Sequence, residues 1–174
     1  MMKKSLFILA AVAAFAAQAQ TNDTLKKIKD SGAVTMGVRE SSGALSYTLG
    51  DGKYAGFHVE ICQRVLGDVQ KSLGLAKLEI KYQPVTSQNR IPLVQNGTVD
   101  IECGSTTNNA TRQKDVSFAV TTFVEEVRIA VKANSGITSI AQLNGKKVAT
   151  TTGTTSVQTL RKNERATGVN FEEV

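Results

Sequence analysis

Short apolar strands alternate with amphipathic helices along this chain, and that alternation restricts its possible folds more than any other feature. Leu25 and Ile28 start a short helix that ends at Ser31-Gly32, and Ala33 to Val38 reads as a strand with Arg39 at its C-terminal end. Glu40 to Gly56 is rich in Ser and Gly, holds the turn pair Asp51-Gly52, and predicts a loop or loose hairpin. Phe57, Ile61, Val65, Leu66, Val69 and Leu73 then recur at helical spacing up to Gly74. Leu78 to Tyr82 predicts a second strand, Ile91 to Val94 a short helix stopped by Asn96-Gly97, and Val99 to Glu102 a third strand.

Ser105 to Arg112 is a polar loop, and Val127 to Val131 reads as another strand. After Asn134-Ser135-Gly136 the rhythm restarts. A short helix is expected at Ile140 to Leu143, a strand at Lys147 to Thr151, a helix after Gly153 and a strand at Val169 to Val174. Such an order predicts an α/β protein whose parallel strands deliver their loops to one sheet edge, where ligands bind.

The N-terminus addresses the chain for export. Lys3 and Lys4 form a charged region, Leu6 to Ala17 an apolar stretch, and Ala17-Gln18-Ala19 a small-x-small cleavage site, so residues 1–19 read as a signal peptide. A membrane anchor needs about 20 apolar residues, and this run is shorter and ends in Gln18 and Gln20. No membrane insertion of the mature chain is expected. Without Lys3 and Lys4 the 21 basic residues of the chain become 19 against 15 acidic, a net charge of +4. The charges alternate rather than run together, which argues against a nucleic-acid partner and leaves a mild attraction for small anions. Cys62 and Cys103 can pair in an oxidising compartment, but sequence leaves open whether they do.

Polar clusters follow directly on the predicted strands: Arg39-Glu40-Ser41-Ser42, Thr86-Ser87-Gln88-Asn89-Arg90, and Gly104-Ser105-Thr106-Thr107 with Arg112. Gathered at one edge they offer three guanidinium forks and many hydroxyls, a chemistry suited to carboxylates held bidentately. Taken singly, each Arg reads as surface decoration; their shared position after strands is what argues for a site. Thr151-Thr152-Gly153-Thr154-Thr155-Ser156 forms a strand-to-helix turn whose free N–H groups suit an anion, although capping by Thr154 or Thr155 would satisfy them without a ligand. The chain has no Gly-x-Ser-x-Gly elbow, no phosphate-binding loop and no His pair or Cys/His cluster for zinc, so no metal, cofactor or catalytic residue is assigned. His58, the single histidine, receives no role, and Cys103 has no histidine placed to activate it as a nucleophile.

At these clusters the chain resembles the periplasmic glutamate/aspartate-binding proteins of ABC transporters, within the family of polar amino-acid-binding proteins. Thr86-Ser87-Gln88-Asn89-Arg90-Ile91-Pro92-Leu93, Gln95-Asn96-Gly97-Thr98 and Glu102-Cys103-Gly104-Ser105-Thr106-Thr107-Asn108-Asn109 carry the likeness. The resemblance implies a type II periplasmic-binding-protein fold with two lobes, a ligand cleft and hinge closure. Residues 20–126 would form the first lobe, and residues 127–174 a hinge strand with an incomplete second lobe. Position by position, Arg112, Ser105, Thr107 and Thr155 would hold the α-carboxylate and amino groups. Arg39, Ser87 and Arg90 would surround the side-chain carboxylate. The implied partners are an acidic amino acid, glutamate or aspartate, and a transporter permease, with the protein a monomer in the periplasm.

Family members continue for about 100 further residues, roughly another lobe, so a truncated form is expected. In this subgroup the Cys of the Glu-Cys-Gly-Ser segment pairs with a downstream cysteine, which implies that Cys103 is free here or pairs with Cys62. The alternative function is an exported enzyme of the same fold, dehydratase-like, which would need an additional acid or base in the cleft. The sequence offers no such surplus carboxylate or histidine; Glu40, beside Arg39, reads more simply as a paired surface acid.

Overall fold

The computed structural model describes residues 23–174, and the signal peptide inferred for residues 1–19 lies outside them. The first described element is helix α1 (Thr24–Ser31), capped by Asp23, whose carboxylate accepts from the Lys26 amide at 3.0 Å, and closed by Gly32 in the left-handed region. Strand β1 (Ala33–Val38) follows. It becomes the centre of a parallel three-stranded sheet between β4 (Glu79–Pro84) and β5 (Ile101–Glu102). The expected loose hairpin forms from β2 (Tyr47–Gly50) and β3 (Lys53–Ala55), which pair antiparallel.

Helix α2 (Phe57–Ser72) lays Val59 and Leu66 against β1, and α1 adds Ile28. With Val34, Met36, Val38 and Cys103 these form one core, in which each large apolar side chain contributes about 1.5–3 kcal/mol by leaving water. Short helix α3 (Arg90–Gln95) connects β4 to β5. A polar latch closes the far end: Lys27 Nζ donates to Asp100 Oδ1 and to the Gly97 carbonyl, both at 2.8 Å, and Asp100 Oδ2 accepts the Thr35 amide at 2.8 Å. Cys62 of α2 and Cys103, just past β5, are joined in a disulfide with Cα atoms 6.3 Å apart. The bond decides the question left open by the sequence and excludes the free Cys103 that the resemblance allowed.

The second unit is smaller. A 3-10 turn (Ile140–Leu143), strand β6 (Lys147–Val148), helix α4 (Thr155–Thr167) and strand β7 (Glu172–Glu173) pack Leu143, Leu160, Val169 and Phe171 together, and β6 pairs parallel with β7. Among the described residues, the strands expected at Lys147 to Thr151 and Val169 to Val174 each shrink to two residues, which pair with each other. The strand expected at Val127 to Val131 does not form. Residues 117–131 make no backbone hydrogen bond among the described residues, and Val127, Ile129 and Val131 stay 40–50% exposed. Apolar alternation is not sufficient for a strand without a neighbour to complete its ladder.

Candidate functional site

All three strands of the first sheet run the same way, so the residues that follow them converge at its C-terminal edge. Arg39, immediately after β1, anchors the convergence. Its Nε donates to Ser42 Oγ at 3.1 Å, Nη1 to the Val85 carbonyl at 2.8 Å and Nη2 to Ser87 Oγ at 3.2 Å. Ser42 Oγ in turn shares a hydrogen bond of 2.9 Å with Ser105 Oγ from the loop after β5. Arg39, Ser87 and Ser105 therefore stand together around a cavity of about 700 Å³ that also reaches Thr151 and Thr154 of the second unit.

A second group bridges the two units. Arg112, on a 3-10 turn (Arg112–Lys114), donates from Nη1 to the Thr107 carbonyl at 3.1 Å and from Nη2 to the Gly153 carbonyl at 3.0 Å. Thr107 and Thr155 hydroxyls lie 3.4 Å apart. Gly153 is required for this approach: its φ is +81°, and a Cβ there would meet the Ser87 carbonyl oxygen at 2.6 Å and Gln88 Cα at 2.8 Å. Thr154 takes the N-cap position of α4, but its hydroxyl donates to the Thr151 carbonyl at 2.7 Å. No side chain caps the helix, so its first N–H groups and their partial positive charge remain available beside Arg112.

Arg90 differs from its companions. It is 4% exposed, and its Nε and Nη1 have no hydrogen-bond partner. Burial lowers its pKa to about 10, reinforced by Arg112 and Arg39 and opposed by Glu102. Burial likewise lowers Arg112, again opposed by Glu102. Six of the seven residues expected at the site thus form two hydrogen-bonded groups, and the seventh, Arg90, is buried apart from them.

Two residues outside that set take part. His58 Nδ1–H donates to the Gly104 carbonyl, and Nε2 accepts from the Thr122 hydroxyl at 2.8 Å, so the histidine secures the loop carrying Ser105. Glu102 borders the neighbouring cavity with His58 and Ser105, and Glu125 lines both that cavity and the one around Arg39, so a carboxylate does reach the cleft, contrary to the sequence expectation. Desolvation raises the pKa of Glu102, while Thr106, Arg90, Arg39 and His58 pull it down. Its sequence signal was a charged residue ending an apolar strand just before Cys103-Gly104. Glu40, by contrast, is exposed and makes no ion pair among the described residues, because the Arg39 guanidinium is turned toward Ser42, Val85 and Ser87. No group of three His, Cys, Asp or Glu able to hold a metal occurs among the described residues.

A parallel sheet whose strand-end loops meet a second α/β unit across an arginine-lined cleft is the architecture of type II periplasmic binding proteins. The chain belongs to the bacterial extracellular solute-binding proteins, family 3, whose model matches residues 34–172. It is 50% identical over 140 residues to an L-glutamate/L-aspartate-binding protein of Pseudomonas aeruginosa, covering 79% of this chain and 46% of that protein. Identity to a glutamate/aspartate import solute-binding protein of Escherichia coli K12 is 41% over 168 residues, covering 92% of this chain and 56% of the relative. The chain thus spans about half the length of these curated relatives. Among solved structures, an ancestral amino acid-binding protein described as a precursor of cyclohexadienyl dehydratase superposes with a TM-score of 0.71 at 26% identity, covering 87% of this chain and 63% of that one. A cysteine-binding protein from Campylobacter jejuni, at 22% identity and TM-score 0.67, shares the fold, covering 87% and 58%.

Proposed function

We propose that this protein captures glutamate or aspartate in the periplasm and delivers it to the permease of an ABC transporter, acting as a monomeric binding protein and not as an enzyme. The observation that carries the reading is that Arg39, bonded to the Ser42 and Ser87 hydroxyls, and Arg112, bonded to the Thr107 and Gly153 carbonyls, line adjoining cavities that share Ser87 and Thr154, beside an uncapped helix N-terminus. Two separated cationic anchors suit a ligand with two carboxylates, and a neutral side chain would leave one guanidinium without an anionic partner. The names of the relatives from P. aeruginosa and E. coli point the same way.

In this reading Arg112, Ser105, Thr107 and Thr155 receive the α-carboxylate and amino group. Arg39 and Ser87 receive the side-chain carboxylate, with Arg90 holding charge behind them. Residues 20–126 act as one lobe and residues 127–174 as the start of the other. Calorimetric titration with glutamate, aspartate and glutamine tests the assignment. Arg112→Ala removes charge-assisted bonds worth about 1.5–3 kcal/mol each and is expected to weaken glutamate binding about 100-fold. An unchanged affinity in that variant would sink the assignment.

The enzyme alternative gains one point from the structure, the carboxylate of Glu102 in the cavity adjoining the cleft. Its buried oxygen lies among arginines, however, and a general acid must reach the substrate atom it protonates. Turnover of an acidic or aromatic amino-acid precursor by the purified protein would favour the enzyme instead.

A further inference from the structure

We propose that Glu102, in the cavity adjoining the cleft, is its specificity-determining counter-charge: a buried carboxylate that offsets one of three surrounding arginines and takes up one proton from solvent when an anionic ligand enters. The inference rests on the acidic-ligand reading for the identity of the anion. Its physical basis is the placement of Glu102.

Glu102 pairs with Gly37 in the sheet, and its Cγ lies 3.5 Å from where a Gly37 Cβ would stand. Its Oε1 and the Arg39 Cγ share the space left by Gly104, where any side chain would collide with both. Oε1 is buried with no hydrogen-bond partner, and so are Nε and Nη1 of Arg90. No ion pair joins Glu102 to an arginine among the described residues, although Arg90, Arg39 and Arg112 all interact with it electrostatically. A carboxylate retained for stability would close onto a guanidinium, because an unpaired buried charge is costly. This one is held in the field of several cations and bonded to none.

The titratable and charged groups around it come from several elements: Arg39 after β1, Arg90 on α3, Arg112 on its 3-10 turn, His58 on α2 and, lining the same cavity, Glu125. An entering carboxylate gives the arginines a second anion to stabilise and repels Glu102, whose proton affinity burial has already raised. Its folded pKa therefore rises further in the complex, and the bound state holds more protons than the free state. Affinity then grows as pH falls through the window between the two values, until the ligand's own carboxylates begin to protonate near pH 4. A ligand with an amide side chain adds less charge and couples less. Glu102 thereby sets how strongly the cleft prefers dicarboxylates.

The test combines a ¹³C NMR titration of the Glu102 carboxyl in the 174-residue chain, assigned with Glu102→Gln, and glutamate calorimetry in buffers of different ionisation heat. The expected results are a midpoint above the ordinary glutamate range that moves up with glutamate, and proton uptake that disappears in Glu102→Gln. That variant is expected to bind glutamate about tenfold tighter at neutral pH, since it lacks the repelling charge. Arg90→Gln, which removes an opposing cation, is expected to raise the midpoint, and it decides the matter should Glu102→Gln fail to fold. An ordinary midpoint, a midpoint unmoved by ligand, or identical pH dependence in the wild type and Glu102→Gln would overturn the inference. Absence of glutamate binding would refute the ligand reading alone. Sulfate then serves as the anion: a midpoint that rises with sulfate supports the counter-charge, and an unmoved one overturns it.

Discussion

The two units use the same elements with different degrees of closure. In the first, β1 has a partner along each edge and helices cover it, so Val34, Met36 and Val38 are at most 1% exposed. In the second, β6 and β7 have only each other, and the four buried core residues are 4–7% exposed. The first also carries a disulfide and the Lys27–Asp100 latch, whereas the second relies on Arg161, which pairs with Glu164 and Glu173 and lies 5.4 Å from the Phe171 ring centre. Among the described residues, Arg39 and Ser87 are thus presented from the loops of a three-stranded sheet, and Gly153 and Thr155 from beside a two-stranded one.

The sharpest way to break this contrast is truncation in each core. Met36→Ala, at a fully buried position on the central strand, is expected to cost about 3–5 kcal/mol, and Leu160→Ala in the second unit about half of that. Denaturant unfolding measures both, and hydrogen exchange should show the β1 amides protected far longer than those of β6. Equal costs and equal protection would show that the units are one cooperative block.

Next in size is the disulfide. Cys62→Ser with Cys103→Ser opens a 41-residue separation and is expected to lower stability by about 2–4 kcal/mol, read as a lower melting temperature. The loss should fall on the first unit, leaving exchange rates around α4 unchanged. The smallest expected effect is the response to acid, which should differ in sign between the units. Hydrogen bonds from Arg161 lower the pKa of Glu164, and those from Thr150 and then Arg161 lower that of Glu173. Their contribution is present above the unfolded value near 4.3 and is lost as pH falls through the folded values. Glu102 has a raised folded pKa, so its contribution is present below the unfolded value and is lost as pH rises through the folded one. Acid should therefore loosen β6–β7 before the three-stranded sheet, in a hydrogen-exchange series run at descending pH.

Much of the fold was legible because its elements follow local rules. Helix α1, β1, α2 and the β2–β3 hairpin formed where spacing and the Asp51-Gly52 turn indicated. The misses share one cause. Among the described residues, Val127 to Val131 has the apolar alternation of a strand and no hydrogen-bonding neighbour, and the strands at Lys147 and Val169 shortened to the two residues that pair with each other. The polar clusters were visible as types and positions, but not their division of labour. Nothing local distinguished Arg39, engaged by four oxygen atoms of its surroundings counting the Ser46 contact of its amide, from the half-satisfied Arg90.

The sequence by itself determined the α/β order, the Arg, Ser and Thr set that follows the strands, and the family resemblance. These depend on periodicity, turn chemistry and residue type, which act over a few neighbours. Only the tertiary structure decided that Cys62 pairs with Cys103, that Arg112 reaches Gly153, that His58 secures the Gly104 loop and that Glu102 lies among the arginines. Each of these joins residues about 40 or more positions apart, or depends on burial, and both are properties of packing rather than of local pattern.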